Sequence, residues 1–329
     1  MIMAIDQGST KTSVVFVSEE GPDAGKIIAG VTTGGACYFL VGVEAAFRKI
    51  HAAVEEAELH SAGVSKNGIT RIYGGIAGAN WPEEIDMLTR EFRARFNARN
   101  VSVSNDCVVA LRGGTEKSDA IVLCAGSGFN GAVMVDGRIR HVFNNYVDPA
   151  DQGGQALGGR ALQAVFESHL GIREKTILTQ KLMDYFGYGE VDQLLLGRDR
   201  GKLKYPLQTA VPILIDAAFQ NDAAALDVIS SFSTSIARYA TGSLKKYGLI
   251  GKDCDIVLSG GVFKSEHPLF FETIAVEIHR VSSQARVVNA EYEPVVGAAL
   301  LGLEEAGIPP EALETCRQSA RALGLVRKK

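Results

Sequence analysis

The sequence predicts an α/β protein with two domains, and three observations support this. Its 329 residues are enough for two domains of roughly 150 residues each. Short apolar runs alternate with longer amphipathic segments, as strands and helices do. A strand, a turn of small residues and a second strand occur at the start and again after residue 119. The second half is therefore predicted to be a degenerate structural repeat of the first.

The elements of the first half follow one another without a long linker. Strands are predicted at residues 1–5, 13–17, 26–31, 69–76 and 101–104. A helix is predicted over 42–62, where apolar residues recur every three or four positions. A more charged helix is predicted over 83–96, because Pro82 suits a first helical turn.

The pattern starts again after Gly113-Gly114. Strands are predicted at residues 120–124, 131–135, 139–143, 255–258 and 287–288. Asp136-Gly137 predicts a hairpin turn between two of these strands. Helical segments are predicted over 158–247, with interruptions near 187–189 and 197–206, and over 294–306 and 309–325.

These elements suggest the domain boundaries. We predict a first domain at residues 1–113 and a second at 114–307, the second carrying a helical insertion. The closing segment, 308–329, is expected to pack back on the first domain.

Composition narrows the functional class. The net charge of −4 does not suggest a nucleic-acid or anionic-membrane partner. The five cysteines are scattered and odd in number, which argues against a disulfide framework and favours a reducing compartment. Neither a signal peptide nor an apolar run of about 20 residues is evident. We therefore expect a cytoplasmic protein that acts on a small molecule, with a homodimer as the default assembly.

The first turn, residues 6–12, is suited to gripping phosphate. Gly8 lets the backbone approach an anion closely, and Ser9 and Thr10 add hydroxyl donors. Lys11 adds a positive charge, and Asp6 is placed to hold hydrated Mg²⁺. The alternative is an ordinary β-hairpin in which Lys11 is a solvated turn residue.

Two more glycine-containing turns follow apolar strands, at 125–128 and 259–262, and a second acid, Asp106, ends another strand. These segments resemble the BadF/BadG/BcrA/BcrD-type ATPases, as do Ile5–Thr12, Gly75–Glu83 and Pro294–Ala299. That family belongs to the actin-like ATPase and sugar-kinase superfamily and includes N-acetylglucosamine kinase. The resemblance covers nearly the whole chain. It implies two ribonuclease-H-like domains with a nucleotide cleft between them.

The resemblance also implies roles in binding ATP and Mg²⁺. Asp6 would hold Mg²⁺ through water. The phosphates and adenosine would contact the three turns, through Gly8, Ser9, Thr10, Lys11, Gly126, Ser127, Gly128, Gly260 and Gly261. Asp106 would be the catalytic residue, accepting the proton of a sugar hydroxyl as that hydroxyl attacks phosphorus. The alternative is that Asp106 caps a helix.

Four residues are implied in sugar binding: Gly78, Asn105, Asn130 and Asp151. Asn130 could instead serve a β-turn, and Asp151 could cap a helix. The chain departs from the family pattern on this side, since Gln152 and Gly154 replace a usual glutamate and serine. The segment 32–36, also expected to face the sugar, lacks a usual asparagine. The nucleotide interpretation is therefore firmer than the sugar interpretation.

The leading hypothesis is an ATP- and Mg²⁺-dependent kinase that phosphorylates the 6-hydroxyl of N-acetylglucosamine or glucosamine. Two alternatives remain open. One is a regulatory ATPase of the same fold that acts on a protein partner or on a different substrate. The other is a binding protein that has lost catalysis, although the presence of both Asp6 and Asp106 argues against it.

Overall fold

The computed structural model describes residues 1–327, and Lys328 and Lys329, the end of the predicted closing segment, lie outside the described residues. The first sheet is five-stranded, in the order β3-β2-β1-β4-β5. Its strands are β1 Ile2–Gln7, β2 Lys11–Val17, β3 Ile27–Gly34, β4 Arg71–Ile76 and β5 Asn100–Asn105. β1, β2 and β3 form an antiparallel meander, whereas β1, β4 and β5 run parallel.

The second sheet repeats this arrangement. Its strands are β6 Ala120–Ala125, β7 Phe129–Val135, β8 Arg138–Val142, β9 Asp255–Ser259 and β10 Arg286–Asn289. Their order, β8-β7-β6-β9-β10, matches that of the first sheet strand for strand. The hairpin between β7 and β8 turns at Asp136 and Gly137, which both have positive φ, as a type I′ turn requires. The predicted α/β repeat is confirmed.

Twelve α-helices lie within the described residues. They are α1 Tyr38–Val41, α2 Val43–His60, α3 Pro82–Phe96, α4 Asp106–Gly114, α5 Gly153–His169, α6 Leu178–Phe186, α7 Val191–Asp199, α8 Val211–Phe219, α9 Ala223–Lys246, α10 Pro268–His279, α11 Pro294–Glu305 and α12 Pro310–Ala322. The predicted helical region 158–247 corresponds to α5 through α9, and α5 begins five residues earlier than expected.

The chain divides into two compact units. The first contains residues 1–122, 131–142 and 289–329, and the second contains 123–130 and 143–288. The domain boundaries inferred from the sequence stay a prediction. In residues 1–327, no helix combines the length and apolarity needed to cross a membrane.

Both faces of the first sheet are covered within the first unit. Strand residues alternate between the faces. Met3, Ile5 and Phe16 pack with α2 and α3 on one face. Ile2, Ala4 and Val15 pack on the other with a core drawn largely from α11 and α12. Because both faces of this sheet are buried, a ligand-binding site on it has to be built at the ends of its strands.

Candidate active site

Three parallel strands of the first unit end at the same edge of the sheet. Gln7, Ile76 and Asn105 are register partners across β1, β4 and β5. The turn that follows β1 and the residue that follows β5, Asp106, therefore lie at the same level of the sheet. They are two strand spacings apart, which is roughly 10 Å. This edge gathers most residues of the first half that the sequence assigned to phosphate, metal and acceptor.

The turn between β1 and β2 is a closed hairpin braced from one side. The Gly8 N–H donates to the Lys11 carbonyl at 2.8 Å, and Ser9 and Thr10 are exposed at its tip. The Ala36 N–H donates to the Gly8 carbonyl at 3.2 Å. The segment 32–36 thus ends β3 and supports the hairpin.

Lys11 lies at the base of this turn and is paired. Its Nζ is 2.7 Å from Oε2 of Glu293, the residue that precedes α11. The sequence did not single out Glu293, because 282 positions separate the two residues. The predicted contact of Lys11 with the γ-phosphate stays a prediction.

Asp6 is buried near the end of β1. No three His, Cys, Asp or Glu side chains of residues 1–327 lie together as a potential metal-binding group. A single carboxylate beside a phosphate-binding turn nevertheless fits Mg²⁺, which keeps several waters and binds through one or two carboxylates and substrate phosphates. Asp6 is therefore compatible with the metal role predicted for it.

Asp106 is the first residue of α4, and the residue before it caps the helix. The Asn105 side-chain oxygen accepts from the Cys107 N–H at 3.0 Å. Burial raises the pKa of the Asp106 carboxyl to about 6, and the backbone N–H groups of Cys107 and Asp106 oppose that rise. A carboxyl with this pKa is largely ionised at neutral pH and can accept a proton.

The side chains near Asp106 include several that the sequence did not assign. The Asn105 side-chain amide donates to Oδ1 of Asn80 at 2.8 Å, and the Tyr38 hydroxyl donates to the Gly78 carbonyl at 2.7 Å. Burial raises the pKa of Cys37 to about 11, and the Asp106 charge adds to that rise. The Asn80 N–H also donates to the Gly78 carbonyl at 2.9 Å, so Asn105 and Gly78 lie within one polar network. No sequence signal marked Tyr38 or Cys37.

The predicted phosphate turn of the second unit, Gly126–Gly128, contacts the start of α5. The Gly126 carbonyl accepts from the Gly154 N–H at 2.8 Å, and the Ser127 carbonyl accepts from the Gln155 N–H at 3.0 Å. Gln152 belongs to the same network, since its Oε1 accepts from the Phe129 N–H at 3.3 Å. The Gly126 and Ser127 carbonyls satisfy two N–H groups of the first turn of α5, which supports the start of this helix at Gly153.

Asp151 is completely buried, and protein groups surround its carboxylate. It accepts four hydrogen bonds, from Arg160 at 3.1 Å, Ser235 at 2.6 Å, Arg238 at 2.6 Å and Tyr239 at 3.1 Å. Burial acts to raise its pKa, but these donors outweigh it and hold the pKa below its ordinary value. This placement favours a structural role for Asp151, and its contact with a sugar stays a prediction.

We expect Asp151→Asn to lower the free energy of unfolding at pH 7 by about 1–3 kcal/mol, because two arginines lose their shared buried anion. The difference from the unchanged protein should shrink only below the ordinary carboxyl pKa of 3.8, since the lowered pKa keeps Asp151 ionised above it. Urea unfolding at several pH values measures this. Asp192→Asn, at an exposed carboxylate of α7, is the control. Equal losses in both variants would contradict the structural role.

The remaining assigned residues of the second unit lie at two places. The Asn130 side-chain oxygen accepts from the Asn144 N–H at 2.9 Å. Gly260 has φ +100°, and an added Cβ would lie 2.4 Å from the Ala125 carbonyl oxygen, whereas a Cβ on Gly261 would meet nothing within 4 Å. Backbone packing alone thus requires glycine at 260. Position 261 leaves the open space that the predicted adenosine contact needs.

The sequence profile of the BadF/BadG/BcrA/BcrD ATPase family matches residues 4–302. The chain belongs to this family. One relative of this chain is a glucosamine kinase of Vibrio cholerae, 22% identical over 72% of this chain and 78% of the relative's length. Another is an N-acetylmuramic acid/N-acetylglucosamine kinase of Clostridium acetobutylicum, 20% identical over 70% of this chain and 76% of the relative's length.

A solved structure with the same fold is a ROK family glucokinase from Streptomyces griseus, in complex with glucose and AMPPNP. It superposes on this chain with a TM-score of 0.61 and 20% sequence identity. The match covers 92% of this chain and 99% of the glucokinase. The family and fold predicted from the motifs are confirmed.

Proposed function

We propose that this chain is an ATP-dependent sugar kinase that transfers the γ-phosphoryl group to the 6-hydroxyl of N-acetylglucosamine or glucosamine. The observation that carries the proposal is the register of β1, β4 and β5. In this register, the Gly8–Lys11 turn and Asp106 lie at one edge of the first sheet, which supports a shared site for phosphate and acceptor. The relatives are named as amino-sugar kinases, which supports the choice of acceptor.

Asp106 is the proposed general base. Phosphoryl transfer depends on positioning and charge stabilisation more than on covalent chemistry. The Asp106 carboxylate would orient the attacking hydroxyl and take its proton as the new oxygen–phosphorus bond forms and the bond between the γ-phosphorus and ADP breaks. Asn105 and Asn80, joined at 2.8 Å, would hold the acceptor side of the same edge.

In the first unit, ATP phosphates are proposed to contact the Gly8–Lys11 turn. In the second unit, the Gly126–Gly128 turn is separately proposed as a phosphate-binding turn. Asp6 would hold Mg²⁺ through water, and the bound ion would neutralise part of the negative charge of the phosphates. The Ser9 and Thr10 hydroxyls at the exposed tip would donate to phosphate oxygens.

A coupled assay of ADP release tests the acceptor directly. Hexoses, hexosamines, N-acetylhexosamines and anhydro-sugars are compared, and N-acetylglucosamine or glucosamine should give the highest kcat/KM. A 6-deoxy analogue of the best sugar should bind without being phosphorylated. Strong turnover of that analogue would exclude the 6-hydroxyl as the acceptor.

One observation favours a second candidate, a regulatory ATPase of the same fold. The Asp151 carboxylate, expected to meet sugar hydroxyls, already accepts four hydrogen bonds from protein groups. ATP hydrolysis that no sugar stimulates would support this candidate.

Homodimer formation stays a prediction and is checked by sedimentation.

The rate of transfer should rise with pH through about 6. Protonation of Asp106, whose pKa burial raises to about 6, removes the base that the attacking hydroxyl needs. Initial rates at saturating ATP and sugar, from pH 5 to 8, measure this. ATP affinity measured at the same pH values separates the effect from titration of the nucleotide. A flat rate profile over this range would contradict Asp106 as the base.

A further inference from the structure

The ion pair between Lys11 and Glu293 lies where a nucleotide would be held. Lys11 Nζ and Glu293 Oε2 are 2.7 Å apart, and the Lys11 side chain is 41% exposed whereas that of Glu293 is 17% exposed. Glu293 is the residue before α11, yet its side chain does not cap the helix. The carboxylate is therefore not required there to start the helix.

Lys11 and Asp6 lie on one face of the hairpin. Asp6 is the register partner of Ser13, two residues beyond Lys11, so Asp6 and Lys11 are diagonal cross-strand neighbours at roughly 7–8 Å. The base of the turn thus carries the cation Lys11 and two acids, Asp6 and Glu293, while Lys49 donates to the Gly35 carbonyl beside the turn. The Glu293 carboxylate offsets the positive charge of Lys11, the cation that belongs to the turn itself.

The backbone fixes the position of Glu293. Four residues later in the same helix, an added Cβ on Gly297 would lie 1.9 Å from the Val109 carbonyl oxygen, so α11 is in backbone contact with α4. Glu293 therefore stands on a rigid element. Its carboxylate can therefore hold the Lys11 ammonium group from an element that is separate from the turn.

We propose that Glu293 is a positioning residue that sets nucleotide affinity through Lys11. It holds the ammonium group in place over the turn and weakens the pull of that group on the phosphates. The proposal rests on the proposed function only in requiring that ATP binds this turn. Removing the carboxylate charge leaves the ammonium group unbalanced, and phosphate binding tightens.

Glu293→Gln should lower the dissociation constant of ATP about three- to tenfold, measured by calorimetry with Mg²⁺ and without sugar. The gain should shrink at high salt, since it is electrostatic. Glu304→Gln is the matched control. It also removes a glutamate charge from this region and breaks an ion pair, with Arg112, but it lies roughly 15 Å further along α11. ATP affinity of Glu304→Gln should stay unchanged.

A double-mutant cycle tests whether Glu293 acts through Lys11. Lys11→Met should weaken ATP binding, and in that background Glu293→Gln should no longer change affinity. Unchanged or weaker ATP binding by Glu293→Gln, a gain that persists in Lys11→Met, or a raised Mg²⁺ requirement would each overturn the proposal.

Failure of the proposed function has a different signature. If the unchanged protein binds ATP but phosphorylates no sugar, the acceptor assignment fails while the Glu293 response is still expected. If the unchanged protein does not bind ATP, both are refuted.

Discussion

Replacing Asp106 by asparagine is expected to lower the rate of sugar phosphorylation by about 10²–10⁴-fold, the usual contribution of a general base. Asparagine has nearly the same shape but cannot take the proton of the attacking hydroxyl. ATP affinity should stay within about twofold, because Asp106 is assigned to the acceptor and not to the nucleotide. Single-turnover transfer and calorimetric ATP binding measure the two effects separately.

Unfolding should not account for the loss. The folded state holds a proton on Asp106 up to about pH 6, whereas an ordinary carboxyl releases it near 3.8. Stability from this group therefore falls as pH rises through that window. Above pH 6, the unchanged protein has to bury an ionised Asp106 carboxylate, and Asp106→Asn removes that unfavourable charge. The melting temperature of Asp106→Asn at pH 7.5 should therefore equal or exceed that of the unchanged protein.

Asp86→Asn provides the comparison for Asp106→Asn. Asp86 is an exposed carboxylate on α3, and its replacement should leave transfer intact. Near-normal transfer by Asp106→Asn would exclude Asp106 as the base.

Gly297→Ala is expected to lower the free energy of unfolding by about 3 kcal/mol, the upper end of the usual cost of overpacking. An added Cβ would lie 1.9 Å from the Val109 carbonyl oxygen and 2.7 Å from the Gly113 nitrogen. Both contacts are with backbone, so α4 and α11 must move apart. Because Asp106 is the first residue of α4, transfer should fall as well. Urea unfolding and steady-state kinetics measure the two losses.

Gly302→Ala, in the same helix, separates the clash from the general effect of adding a methyl group. Its nearest neighbour would be a side-chain carbon of Ile2 at 3.0 Å, which can shift by a few tenths of an ångström. Alanine also favours helix over glycine by about 1 kcal/mol. Gly302→Ala should therefore be close to neutral. Similar stability of the two variants would show that the crossing of α4 and α11 is not tight.

The sequence predicted the features that depend on neighbours along the chain. Short apolar runs placed the strands, and glycine with hydroxyl residues at 8–10 marked the first predicted phosphate turn. Asp106 was identified as a candidate because it follows a strand. The register that brings it level with the turn depends on parallel pairing with β4, which local patterns do not determine.

Features that depend on distant residues were not predictable. Glu293 reaches Lys11 only because α11 packs on the first sheet. The donors around Asp151 include three from one helix, α9, and no local pattern in that helix indicates a buried carboxylate partner. The raised pKa of Asp106 follows from burial, which a sequence pattern does not quantify.

The core that joins β1 and β2 to α11 and α12 has a consequence for biosynthesis. Ile2, Ala4, Val15 and Val17 emerge from the ribosome about 280 residues or more before their partners in α11 and α12. At 5–20 residues per second, this interval is on the order of tens of seconds. During it, one apolar face of the nascent sheet lacks the side chains that cover it in the folded protein, and exposed apolar surface of this kind favours aggregation.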